Sequence, residues 1–268
     1  MTLKHYQKSP DAIKLMREAC QMAADVLVMI EPHIKPGVTT LELNDLCHDY
    51  MVNTLNVIPA PLNYKGFPKS ICTSVNHVIC HGIPNEKPLK DGDILNIDVT
   101  VIHQGYHGDT SRMFAVGKPS IKAKRLMNVA QESLYLGIQM VKPGASLRAI
   151  GAAIERYASK FNYSSVHEYC GHGIGTSFHE SGFQVLHYNA IESPDHKLLP
   201  GLTFTIEPMI NGGKRFVRNH SDGWTVSTKD RSLSCQWEHT LLVTDTGVEI
   251  LTLRPDEDIN HIMSTKRS

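Results

Sequence analysis

No C-x-x-C pair occurs among the six cysteines (Cys20, Cys47, Cys72, Cys80, Cys170 and Cys235), which argues against a zinc ribbon or a redox dithiol. They are expected as free thiols in a reducing cytosol. Long apolar runs are missing too: the longest early one, VLVMI at 26–30, is too short for a signal peptide or a membrane span. It also follows Lys4, Lys8, Asp11 and Lys14, so a cytoplasmic protein without membrane association is expected. Neither sign of charge prevails, with 27 basic against 27 acidic residues and no long like-charge run. That leaves no electrostatic footprint for nucleic acid or an anionic membrane and favours small-molecule or peptide substrates. No Ser- or Gly-rich linker divides the 268 residues, and 41% hydrophobic content allows a substantial shared core. Histidine alone is abundant, and 15 of them fit metal or acid–base chemistry.

Ser9-Pro10 reads as an N-cap followed by proline at the first helical position. Ile13, Met16, Cys20, Ala23, Leu27 and Ile30 then follow at helical spacing, so a helix over roughly 10–31 is predicted. Lys35-Pro36-Gly37 breaks it. Thr39 with Glu42 forms a capping box for a second helix carrying Leu43, Leu46 and Cys47, and the region from Ser70 to Val116 reads as strands. The second half repeats this order. Leu126, Ala130, Leu134, Ile138 and Val141 make a helical stripe, Lys142-Pro143-Gly144 breaks it, and Ser146 is expected to cap a helix carrying Ile150, Ile154 and Tyr157.

A second duplication accompanies the first. GDILNID ends at Asp98 and GLTFTIE ends at Glu207, 109 residues apart, and the two Lys-Pro-Gly breaks are 107 apart. The matching offsets predict an internal repeat, about 10–118 and 119–253, with two halves related by a pseudo-two-fold and a site at the centre. Alternation along a strand sends Leu95, Ile97 and Val99 to a core and Asn96, Asp98 and Thr100 the other way. Leu202, Phe204 and Ile206 likewise point in, with Thr203, Thr205 and Glu207 opposite. Buried unpaired charge is expensive, so two such acids call for a cation. Asp109, in YHGDTSRMF, lies across a predicted hairpin. A turn centred between His103 and Gln104 would set Asp109 directly opposite Asp98, with Cβ atoms roughly 4.5–5.5 Å apart. Carboxylates that close repel unless a divalent ion sits between them. Glu238, in SCQWEHTLLV, is another acid entering an apolar strand. Histidines stand in two glycine-flanked contexts, CHGIP (His81) and GHGIG (His172), where glycine would let the backbone approach a substrate or metal, and His179 follows in SFHES.

Taken in order, CHGIP, NIDVT, HGDTS, GHGIG, FHE, TIEP and WEHT closely resemble the bacterial type I methionine aminopeptidases of peptidase family M24A, from about Pro10 to Leu253. The resemblance implies an α+β pita-bread fold, with helices of two pseudo-symmetric halves covering a curved antiparallel sheet in a single catalytic domain over 1–268. It implies two divalent metal ions held by Asp98, Asp109, His172, Glu207 and Glu238: Asp98 on one ion, His172 and Glu207 on the other, Asp109 and Glu238 bridging. Four carboxylates and one imidazole suit Mn, Fe, Co or Zn alike. A structural monovalent cation is a further implied ligand. By the same resemblance a hydroxide shared by the two ions attacks the first peptide bond. Glu207 then accepts and returns a proton, His179 stabilises the oxyanion, and His81 bonds the scissile amide or leaving group. A methionine slot is implied at Tyr64, Phe67, Cys72, Phe178 and Trp224, with a wall that admits only a small second residue. The chain departs from many relatives at Lys65, where they have His, and from some at Pro61, where they have Cys. Both changes bear on the rim of the slot and leave the metal ligands unaltered.

The implied activity is removal of the initiator methionine from nascent proteins in the cytoplasm, acting on peptides with a free N-terminal Met. A monomer is expected. Any ribosome contact would use the catalytic domain's own surface, since the zinc-binding extension of larger relatives and the insertion of type II enzymes are missing. Two other readings compete. A prolidase or aminopeptidase P-like enzyme shares the fold and ligands but carries an extra N-terminal domain, whereas here the duplicated helices begin by about residue 10. An inactive binding relative would have lost ligands, and none of the five is missing. His77, His103, His107 and His239 are expected in solvent or supporting positions.

Overall fold

In the computed structural model, which describes residues 3–264, the local signals of the first half are realised. Ser9 sits at the N-cap in an extended conformation and its Oγ accepts the Ala12 amide at 3.2 Å, opening α1 (Pro10–Ile30). Gly37, at φ +93°, turns the chain after Lys35-Pro36, and the Thr39–Glu42 capping box opens α2 (Thr40–Asp49). In the second half, Ser120 caps α3 (Ile121–Ile138), and α4 spans Arg148–Ser159. Ser146 does not cap α4 as predicted. Its hydroxyl donates instead to Asp195 Oδ1 at 2.6 Å, and the helix winds up from a turn in which the Ala149 amide bonds the Ser146 carbonyl. Leu147 occupies the N-cap position, with no side-chain cap bond, and Ser146 stands one residue ahead of it.

The paired strands are antiparallel, as the pita-bread fold implies, and among the described residues they form four hydrogen-bonded sheets. Two matter for the site. In the first, Ile94–His103 pairs with Tyr106–Ala115, Cys72–Val75 and Ile58–Pro59. The second runs in the order Val248–Ile250, His239–Val243, Thr203–Ile206, Gly171–Gly173, Glu180–Val185. The stripe Ala23, Val26, Leu27 and Ile30 of α1, with Leu43 and Cys47 of α2, packs with Leu95, Ile97, Val99 and Val101 in one fully buried cluster. A second cluster joins Leu126, Ala130 and Leu134 of α3 and Ile150 and Ile154 of α4 to Leu202, Phe204, Ile206, Leu241 and Val243. With one strand face used by each helix pair, the alternate residues, acids included, turn to the other face. The two sheets meet where the Glu238 amide donates to the Ser111 carbonyl (3.2 Å) and Thr240 Oγ1 to the Asp109 carbonyl (2.7 Å). A bridge between Thr39 and Pro88 recurs as one between Ser146 and Lys197.

The hairpin register differs from expectation. Asp98 faces Ser111 and Asp109 faces Thr100, because the turn is the two-residue Gln104-Gly105, with φ of 47° and 83°, closed between His103 and Tyr106. Positive φ at both central positions is the signature of a type I′ turn, which matches strand twist and so fixes the pairing. The slip is two positions along the partner strand, so the side chains stay on the same face. Asp98 and Asp109 become diagonal neighbours, whose Cα atoms typically lie roughly 7–8 Å apart, within reach of a shared ligand. All six cysteines are free thiols. Among the described residues, no helix is long and apolar enough to cross a membrane.

Candidate active site

Five strand segments deliver five donors to one cavity of about 320 Å³. Asp98 and Asp109 come from the two long strands of the first sheet, and His172 from the middle of Gly171–Gly173. Glu207 follows Thr203–Ile206 directly, and Glu238 directly precedes His239–Val243. The register of these last two strands ends with Ile206 opposite His239, so Glu207 and Glu238 each stand one residue beyond that pair, at the same end of the ladder. Single donor atoms of Asp109, His172 and Glu238 lie within 4.8 Å of one another. His172 Nε2 is 3.6 Å from both Asp109 Oδ2 and Glu207 Oε1.

Hydroxyls and amides that the sequence reading did not single out hold these carboxylates in place. Thr100 Oγ1 donates to Asp109 Oδ1 at 2.8 Å. Thr205 Oγ1 accepts the His172 amide and donates to Glu207 Oε1 at 2.9 Å, while Gln236 Nε2 donates to Glu207 Oε2 at 3.1 Å. The Glu207 amide donates to Nε2 of the buried His187. The signal was present in the alternation: Thr100, Thr205 and Gln236 each lie two residues from an acid on the same strand face. His187 carries no such signal, since it reaches Glu207 through a loop.

Burial dominates the electrostatics. It pushes Asp98 and Glu238 well above the ordinary carboxylate range, with the neighbouring acids adding to the shift. Glu207 rises to about 7, burial outweighing the opposing pull of His172. His172 goes up: burial resists its charged form, but Asp109 and Glu207 together prevail. Burial thus disfavours the ionised form of these carboxylates, and a bound cation would offset that cost. Four carboxylates and one imidazole, with no thiolate among the donors, fit divalent ions of hard to borderline character. The residues present thus suit a divalent metal.

The other predicted residues line the same cavity. His81 stands at φ 55°, a left-handed conformation that costs of order 1–3 kcal/mol outside glycine. It is held there because Gly82 presses on the neighbouring strand so closely that a Cβ would overlap the Thr73 carbonyl. A Cβ on Gly173, beside His172, would similarly overlap Phe183 and Glu180. The glycines following these histidines thus pack directly against neighbouring protein while the histidines themselves line the cavity. His179 Nδ1 lies 3.0 Å from the Tyr64 hydroxyl, and burial with His172 nearby lowers its pKa to about 4, so it is neutral at pH 7. His81 is lowered by burial as well. Tyr64 and Phe178 pack at 4.9 Å between ring centroids, and Phe67 meets Trp224 edge-on at 5.2 Å. Cys72, paired with Asp98 across the sheet, stays a neutral thiol because burial raises it well above its ordinary value. Pro61 is buried at the cavity wall, and the Lys65 ammonium sits 5.3 Å from the Tyr64 ring centroid. Of the remaining histidines, His77 is exposed and His103 approaches Glu18 at 3.3 Å. His107 stacks on Phe178, and His239 is fully buried behind Glu238.

Residues 14–245 match the model of metallopeptidase family M24. The chain is 59% identical to the methionine aminopeptidase of Escherichia coli strain K12 over 258 residues, which cover 96% of this chain and 97% of that one. The crystal structure of methionine aminopeptidase from Rickettsia prowazekii superposes with a TM-score of 0.89 at 54% identity, covering 92% of this chain and 99% of the other. A prolidase from Pyrococcus horikoshii shares the fold alone, at TM-score 0.74 and 22% identity, and this chain spans 65% of its length. By its sequence, its pita-bread fold and its full-length likeness to these relatives, the chain belongs to the methionine aminopeptidases of metallopeptidase family M24.

Proposed function

We propose that this protein is a cytoplasmic, metal-dependent aminopeptidase that removes the initiator methionine from peptides and nascent chains whose second residue is small. The single observation that carries the reading is the convergence of Asp98, Asp109, His172, Glu207 and Glu238 on one cavity whose other wall is aromatic. It acts as a monomer and as one catalytic domain of two repeated halves, and the bridges at Thr39–Pro88 and Ser146–Lys197 support the repeat. The five residues would hold two divalent ions. When bound, the ions supply Lewis acidity, bringing the pKa of water from 15.7 towards roughly 7 and anchoring a free amine.

The chain's own residues do the rest. Tyr64, Phe67, Cys72, Phe178 and Trp224 enclose the methionine side chain, where sulfur–aromatic contacts contribute about 0.3–1.5 kcal/mol. Nδ1 of His179 is bonded to the Tyr64 hydroxyl at 3.0 Å, and in the tautomer protonated at Nε2 the Nε2–H donates to the substrate carbonyl oxygen as negative charge develops there. Glu207, with one oxygen bonded to Thr205 and the other to Gln236, is oriented to take a proton from the attacking water and return it to the departing nitrogen. His81, fixed by Gly82, bonds the scissile amide. The test is hydrolysis of Met-Ala-Ser against Leu-Ala-Ser and Xaa-Pro peptides by metal-loaded protein. Cleavage of Met-Ala-Ser alone supports the reading, and a preference for Xaa-Pro transfers it to the prolidases.

A further inference from the structure

Behind the cavity lies a buried polar cluster that this reaction does not use. Arg254, 1% exposed, is among the largest fully buried side chains. Its Nη1 donates to Thr110 Oγ1 at 3.1 Å and its Nη2 to Glu257 Oε1 at 3.0 Å. The same Glu257 oxygen accepts the Tyr135 hydroxyl at 2.9 Å and lies 3.1 Å from Nε2 of His239, whose Nδ1 is 2.9 Å from Thr252 Oγ1. Thr110 Oγ1 in turn donates to the Glu238 carbonyl at 2.8 Å.

The placement is specific. Thr110 follows Asp109 and His239 follows Glu238, so along extended chain each cluster member points away from the cavity while its neighbour's carboxylate points in. Thr110 belongs to the first sheet and His239 to the second, and the cluster clamps them where the sheets meet. A buried ion pair adds little stability over well-packed apolar side chains, and Arg254 Nε has no hydrogen-bond partner among the described residues. Stability alone is a poor reason for charges in this position. Fixing the separation of two strands is a better one.

We propose that Arg254 and Glu257 are positioning residues that set the spacing of Asp109 and Glu238 through Thr110 and His239, and thereby set the affinity of the site for divalent metal. The inference rests on the reading of those two carboxylates as metal donors. The experiment measures Co²⁺ dissociation constants by calorimetry, the visible spectrum of the Co²⁺-loaded protein, and urea unfolding of the metal-free protein. It compares wild type with Arg254→Met, Glu257→Gln and Thr110→Val. Supporting positions behind metal ligands typically affect affinity 10–100-fold, so the variants are expected to bind Co²⁺ about 10–100-fold more weakly, with an altered spectrum. Variants that unfold more readily yet bind Co²⁺ with the wild-type constant and spectrum would reduce the cluster to a fold-stabilising role and overturn the inference. Should Arg254→Met not fold, Thr110→Val decides, since it keeps the Arg254–Glu257 pair and removes only the hydroxyl linking it to Glu238. A wild-type protein that binds no Co²⁺ overturns the metal reading itself.

Discussion

Replacing Glu207 by Gln in the metal-free protein isolates the price of burying this carboxylate. Glu207 has its pKa raised from an ordinary 4.5 to about 7 by burial, so between those values the folded state holds a proton that the unfolded state has released. Its contribution to stability is fully present below about pH 4.5 and is lost as pH rises through about 7. At about 1.4 kcal/mol per pH unit, that loss is roughly 3 kcal/mol. Gln neither titrates nor carries charge. Total stability will not show the effect cleanly, because His179 and His187, lowered to about 4 and about 3 mainly by burial, add stability as pH rises towards their ordinary 6.5. The difference between Glu207→Gln and wild type removes these common contributions. Urea unfolding of chelator-treated protein from pH 4.5 to 8 should show the variant gaining roughly 3 kcal/mol on wild type, most of it by pH 7. With Co²⁺ present the order should reverse above pH 7, where a wild-type donor binds the ion and Gln does not. A difference that stays constant with pH would refute the argument that burial outweighs the pull of His172 on this acid.

Three further outcomes follow from the geometry. His179→Ala should lower kcat by about 10²–10³ with metal content unchanged, as for a lost oxyanion donor, and loss of metal would instead make His179 a ligand. Gly82→Ala should destabilise the fold by about 1–3 kcal/mol in urea unfolding, because the added methyl meets the Thr73 carbonyl. Activity should fall with it as His81 shifts, and wild-type stability would contradict the close packing. Chelation should abolish hydrolysis yet leave the far-ultraviolet circular dichroism intact, since both apolar clusters lie on the strand faces turned away from the site. Cooperative loss of helix signal would contradict this.

What could be read from the sequence was what local physics decides. Ser9 before Pro10 and Thr39 before Glu42 act within one helical turn, and both caps form as written. The phase of Asp98 and Glu207 follows from alternation alone. Ser146 had the same local credentials as Ser120, but α4 begins one residue later than a Ser146 cap requires, and the hydroxyl donates to Asp195, 49 residues away. The hairpin register turned on the conformation of Gln104, a residue with little intrinsic preference for positive φ. The support for Glu207 from His187, and the bond between Arg254 and Thr110, join segments whose proximity no periodicity announces. Histidine-flanking glycines were visible, but their partners, Thr73 and Phe183, emerge only from packing.

The proposed activity depends on five side chains gathering divalent metal. Equilibrium dialysis against Co²⁺ followed by elemental analysis tests this most directly, on wild type and on Asp109→Asn/Glu238→Gln. Two ions per chain are predicted for wild type and none at the same free concentration for the double variant. Equal metal content in both proteins, or full hydrolysis of Met-Ala-Ser after exhaustive chelation, would contradict it.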